Sequence, residues 1–174
     1  MSRLPYNILV IPYRIINNDL VVAIFFNQNL SMCQFIAGGG ENDETPFDAA
    51  RRETYEESGI KTKIENWIEL DSKASIPRTA FPKANWPNNI YVITEHSFAV
   101  LTDTFDIQLS HEHKLFEWVK YDDACKKLTW DSNRVALFEL KQRLVQSAQQ
   151  VDAPEPATMI VSAWQHHIGR PGDL

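Results

Sequence analysis

Seven carboxylates lie in the segment from Gly38 to Ile60, GGGENDETPFDAARRETYEESGI. Carboxylates three or four residues apart on a helix repel each other by a few tenths of a kcal/mol per pair, so something must offset this charge. On a helical wheel, Glu53, Glu56 and Glu57 fall within one arc of about 100° and share one face. Hard divalent cations such as Mg²⁺ prefer oxygen ligands of this type. The segment therefore indicates a metal site, with a solvated acidic face as the alternative.

The position of these acids on the helix favours the metal site. Glu56 and Glu57 belong to the last turn, where the helix dipole disfavours negative charge. Arg51 and Arg52 can pair with only some of the acids. The glycine-rich turn before the helix also lets backbone carbonyl groups approach a ligand closely. A bound cation accounts for both the clustering and its location.

The spacing of these residues resembles the Nudix box. In that pattern a Gly is followed after five residues by Glu, after seven more by Arg-Glu, and then by an apolar residue, any residue, Glu-Glu, any residue, Gly and an apolar residue. Each charged and glycine position is filled here, by Gly38, Glu44, Arg52, Glu53, Glu56, Glu57 and Gly59. Thr54 occupies an apolar position, where its methyl group can still pack. Ala37 and Asp43 stand where glycine is common in the family.

The resemblance implies the α+β Nudix fold, in which a mixed β-sheet is sandwiched between α-helices and the box forms a loop–helix–loop. It also implies a hydrolase that cleaves a diphosphate linkage, with Mg²⁺ as cofactor and Mn²⁺ as a possible substitute. Phosphoryl and nucleotidyl transfer depend mainly on positioning and electrostatic stabilisation, which a metal held by carboxylates provides.

The family's roles carry over to the matching positions of the box. The metal ligands that they imply are Glu53, Glu56, Glu57 and the backbone carbonyl of Ala37. Glu53 is either a ligand or the base that activates water, and Arg52 orients it through a charge-assisted bond. The structural residues that they imply are Gly38, Glu44 and Gly59, with Glu44 capping the helix or pairing with Arg52.

Nudix enzymes usually recruit a further acid from outside the box. Glu112 lies in the polar loop LSHEHKLFEW, between His111 and His113, and Glu95 lies in a predicted strand. The Glu-His arrangement and the closing TWDSNRVALFEL resemble a Nudix subgroup, the dihydroneopterin triphosphate pyrophosphatases. We therefore expect Glu112 to be an additional metal ligand or base and Glu95 to contact the substrate. The alternative for each acid is simple exposure, and we expect the two flanking histidines to be solvated.

Residues 71–89 are predicted to form a long loop, because they contain three prolines and several small or polar residues. Long loops in compact domains are often functional. Arg78 and Lys83 are expected to meet phosphates, whereas Phe81 and Trp86 are expected to stack on a planar ring. Ordinary packing of the loop is the alternative.

The predicted substrate is dihydroneopterin triphosphate or a (deoxy)nucleoside triphosphate, cleaved to the monophosphate and pyrophosphate. Near Asn27 the subgroup tends to carry arginines that would contact phosphate, whereas this chain has FFNQN. Nucleotides such as dATP therefore compete with the pteridine. The alternative function is a non-catalytic Nudix-fold module that binds a ligand. Such relatives typically lose box carboxylates, and this chain keeps them.

Bulk composition fits one domain. The chain has 174 residues, of which 44% are hydrophobic and 23% charged, and we expect a Nudix domain over residues 1–150 and a docked or flexible tail over 151–174. A formal charge of −6 argues against a nucleic acid polymer as partner. We expect neither a signal peptide nor a membrane span in the N-terminal segment, because Pro5 and Pro12 interrupt its short apolar run. We expect a cytoplasmic protein that binds a small phosphorylated molecule and is compatible with a homodimer.

Hydrophobic patterning predicts elements that alternate between strand and helix. Strands are expected over residues 6–16, 20–26, 90–101 and 116–119, with further extended segments over 34–37 and 60–70. Thr45 is the expected N-cap of a helix that ends near Ser58, with Gly59 as its stop. Helices are also expected over residues 121–127 and 130–149. The apolar residues of the last helix include Val135, Phe138, Leu140 and Leu144.

Overall fold

A computed structural model describes residues 3–151, so the tail predicted after Val151 lies outside the described residues. The strands are β1 (Arg3–Ile16), β2 (Asp19–Asn27), β3 (Cys33–Gln34), β4 (Ile36–Glu41), β5 (Trp67–Pro77), β6 (Val92–Leu101) and β7 (His113–Lys120). The helices are α1 (Pro46–Ser58), α2 (Tyr121–Lys127) and α3 (Asp131–Val151). Short 3₁₀ turns cover Ile64–Asn66 and Arg78–Ala80. Within residues 3–151, no helix is both long and apolar enough to cross a membrane.

One seven-stranded sheet organises the described residues. Its main order is β3-β2-β1-β6-β5, with β4 added to β1 and β7 added to β2. The pair of β1 and β6 is parallel and the other pairs are antiparallel, so the sheet is mixed. In this register Asn7 lies opposite Gly39 of β4 and Glu95 of β6. The N-terminal end of β1 is thus flanked by the glycine-rich strand on one side and by β6 on the other.

Helices cover both faces of the sheet, which confirms the predicted α+β architecture. On one face, Ala49 and Ala50 of α1 pack with Ile8 and Val10 of β1. On the other face, α2 and α3 contribute Ala124, Ala136, Leu137 and Leu140, which pack with Leu9 and Ile11. Because side chains alternate along a strand, odd-numbered residues of β1 from Asn7 onward face α3 and even-numbered ones face α1.

Helix α1 begins and ends as its capping residues predict. The Thr45 hydroxyl accepts a hydrogen bond from the Asp48 amide at 3.2 Å, and the Asp48 carboxylate accepts one from the Thr45 amide at 3.3 Å. Together they form a capping box. Gly59 ends the helix with φ of 70°, in the left-handed region that glycine adopts without strain, and its N–H donates to the Tyr55 carbonyl.

The predicted long loop is wrong in its first part. β5 continues through Pro77, because residues 73–77 pair with residues 92–96 of β6. The polar residues that suggested a loop lie on an edge strand, where alternate side chains can face solvent. The carboxylate of Glu139 in α3 also accepts hydrogen bonds at 2.7 Å from the backbone N–H groups of Asp71 and Ser72. The irregular segment is therefore limited to residues 78–91.

The predicted last helix is present as α3, but two of its apolar residues face solvent. Val135 and Phe138 are 57% and 54% exposed, whereas Ala136, Leu137 and Leu140 are buried. The rotation of the helix is set near its start by Asn133, a buried residue whose side-chain oxygen accepts a hydrogen bond from the Phe35 amide at 2.9 Å. This polar anchor satisfies a buried donor and turns the helix so that Ala136 faces the sheet.

Candidate active site

Gly38 lets Glu53 of α1 lie directly against β4. A Cβ atom added at Gly38 would be 2.0 Å from the Glu53 carboxyl carbon, far inside van der Waals contact. The predicted structural role of Gly38 therefore has a physical basis in the close approach of helix and strand. This approach places one carboxylate of the box beside the backbone of the glycine-rich strand.

Arg52 connects the acids of the box to one another. Its Nε and Nη2 atoms donate to the two carboxylate oxygens of Glu44 at 2.8 and 3.0 Å, and Nη2 also donates to the Gly39 carbonyl at 2.8 Å. Its Nη1 atom lies 2.9 Å from Oε1 of Glu53 and 3.2 Å from Oε2 of Glu56. Glu44 also accepts the Glu41 amide at 2.9 Å. The pairings that were predicted for Arg52 with Glu44 and Glu53 are thus both present.

Glu53 is the carboxylate of the box whose ionisation is most perturbed. Burial raises its pKa to about 7, and Arg52 opposes this shift by its charge and its hydrogen bond. The charges of Glu57 and Glu56 raise the pKa further. A carboxyl group of this kind is ionised only at a cost, which a bound cation would reduce.

Glu57 is buried, which its position in an acidic run did not indicate. Only 4% of the residue is exposed, and a hydrogen bond of 2.7 Å joins its Oε2 atom to Nε2 of His113. Burial raises the pKa of Glu57, and the hydrogen bond from His113 lowers it in part. The prediction that both loop histidines are solvated is wrong for His113, which starts β7 at 6% exposure, and right for His111.

The backbone of Ala37 lies beside the Glu57 carboxylate. The Ala37 backbone lowers the pKa of Glu57, after the larger effects of burial, His113 and Glu112. In an extended strand the N–H and C=O groups of one residue point to the same edge. The N–H and the carbonyl oxygen of Ala37 therefore share one edge of β4, and the role of that oxygen as a metal ligand stays a prediction.

Glu112 and Glu56 are exposed acids in or near the box. Glu112 precedes β7, and its negative charge raises the pKa of Glu57 after the larger effect of burial. The Glu56 side chain is 56% exposed and is held by Arg52. Among residues 3–151, no three acidic, histidine or cysteine side chains converge into a ready metal-binding cluster. The set of candidate donors nevertheless suits Mg²⁺, because it consists of carboxylates and a backbone carbonyl. Two of the carboxylates, Glu53 and Glu57, have raised pKa values, so a bound cation would stabilise their ionised forms.

The model of the Nudix domain family matches residues 15–140, which include the whole box. The chain belongs to the Nudix family of hydrolases. This match supports the predicted family and the predicted fold together. It spans the sheet from the end of β1 to α3 and therefore both helical layers.

Relatives with solved structures share the fold of this Nudix protein. A candidate NUDIX hydrolase from Listeria monocytogenes is 36% identical, with a TM-score of 0.74, over 83% of this chain and 97% of that one. The dihydroneopterin triphosphate pyrophosphohydrolase of E. coli is 23% identical, with a TM-score of 0.64, over 81% of this chain and 99% of that one. At that identity the likeness concerns the fold alone.

A curated relative matches only in part. The octanoyltransferase of Myxococcus xanthus is 31% identical over 102 residues, which are 58% of this chain. The chain spans about a quarter, 26%, of the length of that relative.

Arg3 lies against Gly39 of the glycine-rich strand, a placement that the sequence did not reveal. Its guanidinium carbon lies 4.7 Å from the centre of the Phe81 ring, and its Nη2 atom donates to the side-chain oxygen of Asn7 at 2.9 Å. Burial lowers the pKa of Arg3, whereas the charges of Glu53 and Glu112 raise it. Nothing in the sequence distinguishes this N-terminal arginine, because only the strand register brings it to the box.

The segment 78–91 carries the predicted substrate residues and is structured partly by them. Arg78 donates to the carbonyls of Trp86 and Pro87 at 2.9 and 2.8 Å. Trp86 is buried, donates its indole N–H to the Arg3 carbonyl at 2.6 Å and packs edge-on against Phe81. Lys83 is exposed. The two aromatic residues thus lie beside Arg3, whereas the Arg78 guanidinium is engaged within its own loop.

Glu95 lies on the sheet face opposite α1. It is 5% exposed, and one of its oxygens accepts a hydrogen bond from the Asn7 amide group at 3.0 Å. The other oxygen has no hydrogen-bond partner among residues 3–151. Burial raises the pKa of Glu95, and the hydrogen bond from Asn7 lowers it in part. Through Asn7, Glu95 is joined to Arg3 and so to the edge of the box.

Proposed function

We propose that this chain is a Mg²⁺-dependent pyrophosphohydrolase that converts a nucleoside triphosphate or dihydroneopterin triphosphate to the monophosphate and pyrophosphate. The observation that carries the proposal is the pair of desolvated carboxylates, Glu53 and Glu57, at the end of the sheet where Arg3 and two aromatic side chains also lie. The fold that the chain shares with the pyrophosphohydrolase of E. coli supports the choice of a triphosphate. The proposal implies action in the cytoplasm and allows a homodimer, which size-exclusion chromatography would detect.

The residues that would hold the metal are Glu53, Glu56, Glu57, Glu112 and the carbonyl of Ala37. Mg²⁺ bound there would neutralise negative charge on the phosphate chain of the substrate. The protein's own contribution is to position these oxygens in advance. Arg52 holds Glu53 and Glu56 from one side, and His113 holds Glu57 from the other.

We assign Glu53 as the base that accepts the proton of the attacking water. The water oxygen forms a bond to phosphorus, the bridging P–O bond between the α- and β-phosphates breaks, and pyrophosphate leaves. Oε1 of Glu53 lies 2.9 Å from Nη1 of Arg52. The second oxygen is therefore available to accept the proton, and Arg52 keeps the carboxylate in one orientation.

A substrate panel tests this function. The full chain is incubated with dihydroneopterin triphosphate and nucleoside triphosphates in the presence of Mg²⁺ or Mn²⁺, and pyrophosphate is measured by a coupled phosphate assay. Glu53→Gln and Glu57→Gln should each lower turnover by about 10²- to 10⁴-fold, the range for a lost acid–base or electrostatic contribution. Glu65→Gln is the matched control, because this exposed glutamate pairs only with Lys63 on the surface of the described chain.

Two outcomes would contradict the proposal. If both box variants kept wild-type turnover, the assignment of the site would be wrong. If the chain bound triphosphates but hydrolysed none, it would be a non-catalytic ligand-binding module on the Nudix fold. Manganese soaked into crystals gives an independent measurement, because the proposal expects an anomalous peak beside Glu57.

A further inference from the structure

The arginine of the box is not free to bind a substrate. Each terminal nitrogen of Arg52 already has partners, which are the carbonyl of Gly39 and the carboxylates of Glu44, Glu53 and Glu56. Its Nε atom also donates a hydrogen bond to Glu44. A phosphate could bind Arg52 only by breaking charge-assisted hydrogen bonds, which are about twice as strong as neutral ones. Recognition of phosphate requires another cation.

Two other candidate cations are poorly placed. The Arg78 guanidinium donates to two backbone carbonyls of its own segment and holds that segment together. Lys83 is exposed on the same segment. The sequence FFNQN near Asn27 supplies no cationic side chain. Arg3 lies against Gly39 of the box and keeps an unpartnered donor among residues 3–151.

Arg3 is held in place without using all of its donors. Asn7 accepts from its Nη2 atom, and the Phe81 ring lies 4.7 Å from its guanidinium carbon. Its Nε atom is buried and has no hydrogen-bond partner among residues 3–151. A buried unpaired donor costs about 1–3 kcal/mol, and an arginine presents its donors as a planar fork that fits phosphate oxygens.

Gly39 makes the position of Arg3 possible. A Cβ atom added at Gly39 would lie 2.3 Å from the Arg3 guanidinium carbon and 2.5 Å from its Nη1 atom. The backbone of β4 therefore leaves a space that the guanidinium group fills. Gly39 also offers its carbonyl to Arg52, so one residue separates the two arginines.

We propose that Arg3 is the residue that binds the phosphate chain of the substrate, with its fork directed to phosphate oxygens at the edge of β4 and with Phe81 and Asn7 fixing its plane. This inference deepens the proposed function and rests on it for the identity of the substrate. The chain would thereby place a phosphate-binding arginine at the start of β1, whereas its resemblance to the dihydroneopterin subgroup suggested arginines near residue 27.

Calorimetric titration of the full chain with Mg²⁺ and inorganic tripolyphosphate tests this inference. Tripolyphosphate carries the phosphate groups without a base or sugar. Arg3→Gln should weaken its binding by about 10- to 100-fold, the loss expected for a charge-assisted contact of about 1.5–3 kcal/mol. Arg3→Lys keeps the positive charge but not the planar fork, so its affinity for tripolyphosphate should lie between that of Arg3→Gln and that of the wild type.

Arg14→Gln is the matched control. Arg14 lies on the same strand and stacks on Phe105 at 3.6 Å, but it donates to the Asp103 carbonyl away from the box. Its replacement should leave tripolyphosphate binding unchanged. Gly39→Ala is a second and independent variant, because its methyl group should displace the Arg3 guanidinium and weaken binding while the charge of the protein is unchanged.

The outcomes separate this inference from the proposed function. If the wild type binds tripolyphosphate and the Arg3→Gln and Gly39→Ala variants bind it much more weakly, the role of Arg3 is supported. This holds whether or not the chain hydrolyses a triphosphate. Turnover of a triphosphate with an unchanged KM in Arg3→Gln would overturn the role of Arg3 and leave the hydrolase intact. Failure of the wild type to bind tripolyphosphate in the presence of Mg²⁺ would also overturn it.

Discussion

Glu57 and His113 are 56 residues apart in the sequence, yet Oε2 of one and Nε2 of the other are joined by a buried hydrogen bond of 2.7 Å. The bond connects the last turn of the box helix to the first residue of β7. It therefore couples a proposed metal ligand to the loop that carries Glu112. The arrangement holds Glu57 in place before any cation binds.

Replacement of His113 should destabilise the protein. His113→Phe fills a similar volume but leaves the buried Glu57 carboxylate without this partner, which costs about 1–3 kcal/mol of unfolding free energy. Urea unfolding at pH 7 without metal measures the effect. His111→Phe is the control, because His111 is exposed in the same loop. Equal losses for the two variants would show that the Glu57–His113 bond contributes nothing particular.

The pH dependence of the metal-free protein should report the burial of Glu53. The pKa of Glu53 in the folded state is about 7, above its ordinary value of 4.5. The folded state therefore binds the proton more tightly than the unfolded state, and this contribution to stability is fully present below pH 4.5. It is lost as the pH rises through about 7. Because the Glu53 carboxyl group is partly solvated, we expect the unfolding free energy to fall by about 1–2 kcal/mol across this pH range.

Two measurements check this dependence. Urea unfolding across pH 4.5–8 should show a decline that is smaller in Glu53→Gln than in the wild type. Binding of Mg²⁺ should release protons near pH 6, because a metal ligand must be deprotonated, and calorimetry in buffers of different ionisation enthalpy counts them. The same pH slope in Glu53→Gln and wild type would contradict the raised pKa.

Local signals explain why the box helix could be predicted from the sequence. The cap at Thr45, the stop at Gly59 and the pairing of Arg52 with Glu44 each depend on residues that are close in the chain. Capping preferences and helical spacing act over a few residues, so tertiary structure rarely overrides them. The box pattern also predicted the family and the fold.

Contacts between distant segments explain what the sequence did not show. The Glu57–His113 bond and the placement of Arg3 against Gly39 both require the strand register, which no local pattern encodes. The rotation of α3 likewise follows from Asn133 binding the backbone of Phe35. In that helix the apolar pattern predicted the element, but a single buried polar contact decided which apolar side chains face solvent.

The capping box of α1 should contribute measurably to stability. Thr45→Ala removes the acceptor of the Asp48 amide and should lower the unfolding free energy by about 1 kcal/mol. Thermal and urea unfolding measure the change. Thr79→Ala is the control, because Thr79 is exposed. A Thr45→Ala protein as stable as the control would mean that the cap is not important for the helix that carries the box.

Gly38→Ala should reduce turnover without preventing folding. The added methyl group would lie 2.0 Å from the Glu53 carboxyl carbon, so Glu53 must move away from Arg52 and from the proposed reaction site. A displacement of about 1 Å in a positioned catalytic group costs about 100-fold in rate. Assays of kcat on the substrate that the panel identifies, together with the Mg²⁺ concentration for half-maximal rate, measure the loss.

Gly40→Ala separates this effect from general damage to β4. Its methyl group would meet the Tyr6 hydroxyl group at 1.9 Å and would disturb the hydrogen bond from Tyr6 to the Glu44 carbonyl. We therefore expect Gly40→Ala to cost stability while its Mg²⁺ requirement stays near that of the wild type, since Glu53 keeps its place. If the two variants lost turnover equally and shifted the Mg²⁺ requirement equally, the close contact of Gly38 with Glu53 would not be what positions the catalytic carboxylate.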